Sequence, residues 1–175
     1  MTSPESNLLT RMNTIKQIDL KKHLTPSQED ALEEIRQYRK NGEPFINLHG
    51  PRNSGKTFLC WALREYGWKY QQADFQRVTE PDVTAVVYDH GKPDRSTTRQ
   101  LRNNVDLSGL SNVVYVTKSP AKEIYPRVHL STDEQHYQTI AASWDTLGID
   151  TATLPAVDAT VNTNTNTNQN QLAKQ

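Results

Sequence analysis

Residues 50–57 read Gly-Pro-Arg-Asn-Ser-Gly-Lys-Thr, and no other stretch restricts the fold of this 175-residue chain as strongly. Two glycines separated by four residues let the backbone turn tightly and aim its N–H groups at one point. The lysine and hydroxyl residue that follow stand where a helix begins, and a helix start carries positive partial charge. Gly50, Gly55, Lys56 and Thr57 fill every fixed position of G-x-x-x-x-G-K-[ST]. Well under about 1% of chains this long would do so by chance.

The flanking pattern agrees. Phe45-Ile46-Asn47-Leu48 is a short apolar strand, and residues 56–66 carry a helical pattern that stops at Gly67. A strand, a glycine loop and a helix in that order make a phosphate cradle. Gly50, Pro51, Arg52, Asn53, Ser54 and Gly55 supply the loop, and Phe58 continues the first helical turn. In such a cradle Lys56 reaches the β- and γ-phosphates, and the Thr57 hydroxyl ligates Mg²⁺.

These residues resemble the Walker A motif of the P-loop NTPase superfamily. The resemblance implies a nucleotide, ATP·Mg²⁺, as cofactor, and an acidic residue at the end of a second buried strand. Residues 83–88, Val-Thr-Ala-Val-Val-Tyr, run into Asp89 and fit that Walker B pattern. Asp89 would then join Thr57 at the metal; an Asp closing a strand before a Gly91 turn is the plainer alternative. Many hydrolysing members follow this Asp with Glu, where this chain has His90. An imidazole titrates near neutrality and can serve as a base. Equally, its presence fits slow hydrolysis, a residue supplied by a partner, or a simple turn histidine.

The rest of the folded part alternates strand and helix signals. Thr25-Pro26-Ser27-Gln28 is a capping box with proline at the first helical position; Ala31, Leu32, Ile35 and Tyr38 form the apolar stripe that follows. A weak strand is expected at 69–73, a polar helix at 94–104, a buried strand within 112–117 and a short strand at 128–130. Ser131-Thr132-Asp133-Glu134 caps a last helix with Tyr137, Ile140, Ala141, Trp144 and Leu147 on one face. Strands separated by helices give an α/β fold. The expected architecture is a three-layer α/β/α sandwich with a mostly parallel sheet, of P-loop NTPase type.

Within the superfamily the pattern looks like the AAA+ and STAND ATPases. That likeness implies a γ-phosphate sensor at Thr117 and an arginine finger at Arg127, the latter acting on a neighbouring subunit. It also suggests an adenine contact at Gln28, although the capping box accounts for that residue equally well. Thr117-Lys118-Ser119-Pro120 lacks the Asp of a guanine-reading N/T-K-x-D strand end, which favours adenine over guanine. The helical lid of complete AAA+ proteins has no counterpart, and too little chain follows Asp89 for a second motor domain.

Composition sets the outer limits. Twenty Lys and Arg balance twenty Asp and Glu, which excludes binding nucleic acid through bulk basicity. Local excesses survive: Arg95, Arg99 and Arg102 share a face if helical, and Arg36, Arg39 and Lys40 cluster. Either group suits phosphate contacts on nucleic acid, or is a solvated face. Apolar residues make up only 34%. Much of that poverty lies in residues 151–175, a Thr/Asn/Gln-rich tail expected to be disordered, and in residues 1–22, a flexible segment with a short stripe of Leu8, Leu9, Met12 and Ile15. Residues 23–150 are the expected nucleotide-binding domain.

One cysteine, Cys60, excludes an internal disulfide framework, and neither a secretory h-region nor a membrane-length apolar run is present. The expectation is a cytoplasmic ATPase that works with a protein partner or as a homo-oligomer. A small-molecule or nucleotide kinase, its acceptor clamped by Arg95, Arg99 and Arg102, is one alternative. A nucleotide-binding regulatory module with little hydrolysis is another.

Overall fold

Helix α1 (Pro26–Lys40) starts where its capping box requires: the Thr25 side chain accepts from the Gln28 N–H, and the Gln28 side chain accepts from the Thr25 N–H. A 3₁₀ turn at Leu20–His23 precedes it and buries Leu20 against the same core. The computed structural model describes residues 19–72 and 81–132, together with 138, 139 and 142. After α1 come β1 (Phe45–His49), α2 (Lys56–Leu63), β2 (Lys69–Gln72), β3 (Ala85–Gly91), α3 (Arg95–Ser108), β4 (Asn112–Thr117) and β5 (Arg127–His129).

The five strands form one all-parallel sheet in the order β2-β3-β4-β1-β5. Their side chains alternate between two cores, as the two-residue strand period demands. Ile46, Leu48, Val87, Val114, Val116 and Val128 face one core, which Ile35 of α1 and Leu59 and Leu63 of α2 complete. Phe45, Val86, Tyr88, Val113 and Tyr115 face the other, which Leu101 and Val105 of α3 cover. Strands buried on both faces read as continuous apolar runs, which is why β3 and β4 stand out in the sequence. The chain is thus an α/β fold with helices on both faces of a parallel sheet.

Two crossovers leave the sheet on opposite sides, α2 after β1 and α3 after β3. A crevice therefore opens beyond the carboxyl ends of β1, β3 and β4, the usual ligand position in such sheets. Strand β3 begins two residues later than its apolar run and continues through Asp89 to Gly91. Helix α3 outruns its expected end because Leu101 and Val105 extend the buried stripe. Gln138, Thr139 and Ala142 are helical, as expected for the last helix. Its remaining stripe, the N-terminal stripe and the Thr/Asn/Gln-rich tail lie outside the described residues. Among the described residues no helix is long and apolar enough to cross a membrane.

Candidate functional site

The glycine loop leaves β1 at His49 and delivers Lys56 and Thr57 to the first turn of α2. Gly50 is required by close approach: a Cβ there would lie 2.4 Å from the Leu130 carbonyl oxygen, just beyond β5. Asn53 adopts φ 64°, a left-handed conformation that Asn tolerates better than most side chains. The Lys56 ammonium folds over the loop and donates to the carbonyls of Gly50 (2.9 Å) and Pro51 (2.6 Å) and to Ser54 Oγ (3.2 Å). Burial pulls its pKa below the usual lysine value; Asp89 opposes that shift and Lys118 adds to it. Behind the loop, Gln28 Nε2 donates to the Gly55 carbonyl (3.0 Å) while its Oε1 is held by the Thr25 N–H. One end of this buried amide caps α1 and the other fastens α1 to the loop. Phe58 packs against the α1–α2 core.

Thr57 and Asp89, 32 residues apart, meet at the crevice. The Thr57 hydroxyl donates to Asp89 Oδ2 at 2.7 Å, and the Tyr70 hydroxyl from β2 donates to the same oxygen at 3.1 Å. The His90 N–H donates to Oδ1 at 2.8 Å. Asp89 is 2% exposed, so these donors do for its charge what water would do outside. Burial and the Asp89 charge push the Tyr70 phenol well above its ordinary pKa.

Immediately after Asp89 the ladder to β4 slips between Tyr88 and Gly91, and His90 takes φ 63°. This bulge turns the His90 side chain outward at the rim, with Nε2 3.5 Å from Asp89 Oδ2. Gly91 is fixed by its neighbour: an added Cβ would lie 2.2 Å from the Tyr115 ring, whose hydroxyl donates to the Lys92 carbonyl. Thr117 is buried at the end of β4. Its hydroxyl donates to the Ser119 carbonyl (2.6 Å) and accepts from Asn47 Nδ2 (3.0 Å). Asn47 also donates to the Tyr115 carbonyl (2.8 Å), and its Oδ1 accepts from the Ala121 N–H (2.8 Å). One buried amide thereby anchors the loop that carries Lys118 and Ser119 beside the glycine loop.

A cavity of ≈ 820 Å³ gathers Arg52, Asn53, Ser54, Gly55, Lys56 and Thr57 with Asp89, His90 and Thr117. Lys92 and Lys118 add two further cations, so four Lys and Arg side chains face one carboxylate. A polyanion suits such a lining, and the volume lies in the range of small-molecule sites. No family model matches this chain, and no curated protein is significantly similar to it.

Other expected site residues lie apart from this cavity. Arg127 opens β5, pairs in register with Asn47, donates to the Ala121 carbonyl (2.8 Å) and stacks on Tyr125. Arg95 and Arg99 of α3 both turn to Glu123, at 2.7 and 3.7 Å, and Arg102 donates to the Glu123 carbonyl. The three arginines share a face as their spacing implies, and that face holds the loop between β4 and β5.

Asn47, Tyr70, Lys92 and Lys118 escape a motif-based reading. An Asn inside the otherwise apolar Phe-Ile-Asn-Leu run is the one available signal for Asn47, because a buried amide needs partners. Nothing local marks Tyr70, whose role depends on β2 pairing beside β3.

Proposed function

We propose that the chain binds ATP·Mg²⁺ at the glycine loop and belongs to the P-loop NTPases, with an AAA+ or STAND-like core. Its nucleotide state would drive assembly or a conformational switch in a larger complex. The observation that carries this reading is the Thr57–Asp89 contact of 2.7 Å, formed beside a lysine held over a glycine loop. Hydroxyl and carboxylate oxygens are the donors a hard cation such as Mg²⁺ takes. Thr57 would hold the metal directly and Asp89 would hold its water shell. The metal would neutralise charge between the β- and γ-phosphates. Lys56, Arg52 and Lys118 would bind the phosphate chain, with the α2 N-terminus adding its positive end. Thr117 would act through the Asn47 network, fixing Lys118 and Ser119 near the γ-phosphate.

His90 stands where hydrolysing relatives carry a carboxylate, and it sits on an exposed bulge. That favours slow turnover by the isolated chain, with a partner completing the site. The kinase alternative loses its acceptor clamp, because Arg95 and Arg99 are paired with Glu123. Phosphate release measured across protein concentrations tests this reading. Specific activity that rises with concentration or with an added partner supports it. Rapid, hyperbolic turnover independent of concentration contradicts the partner requirement. Transfer of labelled phosphate to a nucleoside or metabolite without phosphate release would favour the kinase.

A further inference from the structure

The two basic clusters of the sequence end in different circumstances. On α3, Glu123 engages Arg95 and Arg99 and its carbonyl engages Arg102. On α1, Glu33 pairs with Arg36 at 2.8 Å, but Arg39 and Lys40 have no carboxylate partner among the described residues. Cations in a helix's last turn are ordinary, since they complement its dipole. The surroundings of these are not.

Arg36, Arg39 and Lys40 border a pocket of ≈ 540 Å³ with Tyr66 and Trp68 in its wall. The Arg36 guanidinium lies 4.8 Å from the Tyr66 ring centre, and that of Arg39 lies 4.8 Å from the Trp68 ring. Arg39 Nη1 donates to the Tyr66 carbonyl at 2.9 Å, which holds the planar cation over the indole. Trp68 is 3% exposed, yet its Nε1–H has no acceptor among the described residues. The buried indole is thus the floor on which the Arg39 guanidinium lies, and the guanidinium is the face turned to a ligand. Trp68 precedes β2 and Asn112 of the lining opens β4, so the pocket lies at the amino ends of the strands. The glycine loop is at their carboxyl ends, and both sites can be filled together.

We propose that this pocket takes a nucleotide unit of single-stranded nucleic acid. A phosphate would sit on Arg39 and Lys40, and a base would stack on the guanidinium groups that lie over Tyr66 and Trp68. Guanidinium–aromatic layers offer a flat surface to an unstacked base, as single-strand binders do. A duplex keeps its bases stacked inside a convex cylinder and cannot enter a concave pocket of this size. A polyglutamate peptide matches the charge but brings no ring to the guanidinium layer.

Fluorescence anisotropy of a labelled 15-nucleotide oligothymidylate with the full chain tests the proposal. Binding should weaken as salt rises from 50 to 200 mM, by about 7-fold if two phosphates are neutralised and about 20-fold if three are. The double variant Arg39→Glu/Lys40→Glu should lose at least about tenfold in affinity. Trp68→Phe, which keeps an aromatic ring, should lose a smaller factor, and Arg95→Glu/Arg99→Glu should change little. Thermal unfolding of each variant separates lost binding from lost folding. No binding of the oligonucleotide overturns the proposal. Equal binding of a duplex or a polyglutamate peptide, or single-strand binding indifferent to Arg39, Lys40 and Trp68 in folded variants, overturns it as well.

Discussion

The Thr57 hydroxyl donates to Asp89 Oδ2 across 2.7 Å, joining the first turn of α2 to β3. Two oxygen-bearing side chains from separate strand–helix units meet beside the one lysine that the loop itself holds. If this pair serves Mg²⁺, the metal must raise nucleotide affinity in the native chain. Thr57→Ala and Asp89→Asn should each lower Mg²⁺ affinity by about 10–100-fold. Nucleotide titrations with Mg²⁺ and with EDTA measure this; an undiminished Mg²⁺ effect in both variants would reject the assignment.

Tyr70 competes for the same oxygen, donating to Asp89 Oδ2 at 3.1 Å. Tyr70→Phe removes a hydrogen bond to a charged acceptor, so the chain should lose about 1–2 kcal/mol in urea unfolding. The same change leaves Oδ2 less occupied, and Mg²⁺ should bind the nucleotide complex more tightly. Unchanged stability and unchanged metal affinity together would show that the phenol has no part in positioning Asp89.

Asn47 uses both of its N–H donors on Tyr115 and Thr117 and accepts from the Ala121 N–H. Asn47→Ala strands the Ala121 N–H and leaves a small void, a loss of about 2–4 kcal/mol. Because the loop at Lys118 and Ser119 hangs from this network, nucleotide affinity should fall as well. Denaturant unfolding and binding on the same sample check both. A loss below about 0.5 kcal/mol, the level of an ordinary surface substitution, would contradict the role given to this amide.

His49 ends β1, its ring 5.0 Å from that of His129. Burial holds its pKa below 6.5, and His129, Arg127 and Lys56 press the same way. The unfolded chain therefore binds more protons than the folded one between the two values. The stability contribution is intact above about pH 6.5, the unfolded value, and declines as pH falls toward the depressed folded value. His49→Gln should shrink the difference in unfolding free energy between pH 7 and pH 5. An identical pH profile in the variant would refute the assignment.

Motif and periodicity make much of this fold legible in the chain. The glycine loop, the capping box at Thr25 and the apolar runs ending in Asp89 and Thr117 are local signals, and each predicts a placement found in the fold. Long-range pairing is what local pattern lacks. Arg95, Arg99 and Arg102 share a helical face as spacing implies, but only the loop between β4 and β5 reveals that Glu123 occupies them. Gln28 matches a cap and a base contact equally in sequence; its bond to the Gly55 carbonyl requires the packing of α1 against the loop. Tyr70 has no sequence signature, since its reach to Asp89 follows from strand order.

Calorimetric titration of the full chain with ATP and Mg²⁺ tests the central claim most directly. The account predicts saturable binding of one nucleotide per chain, weakened at least about tenfold in Lys56→Ala through loss of a charge-assisted phosphate contact. Absence of binding, or binding that Lys56→Ala leaves unchanged, would contradict it.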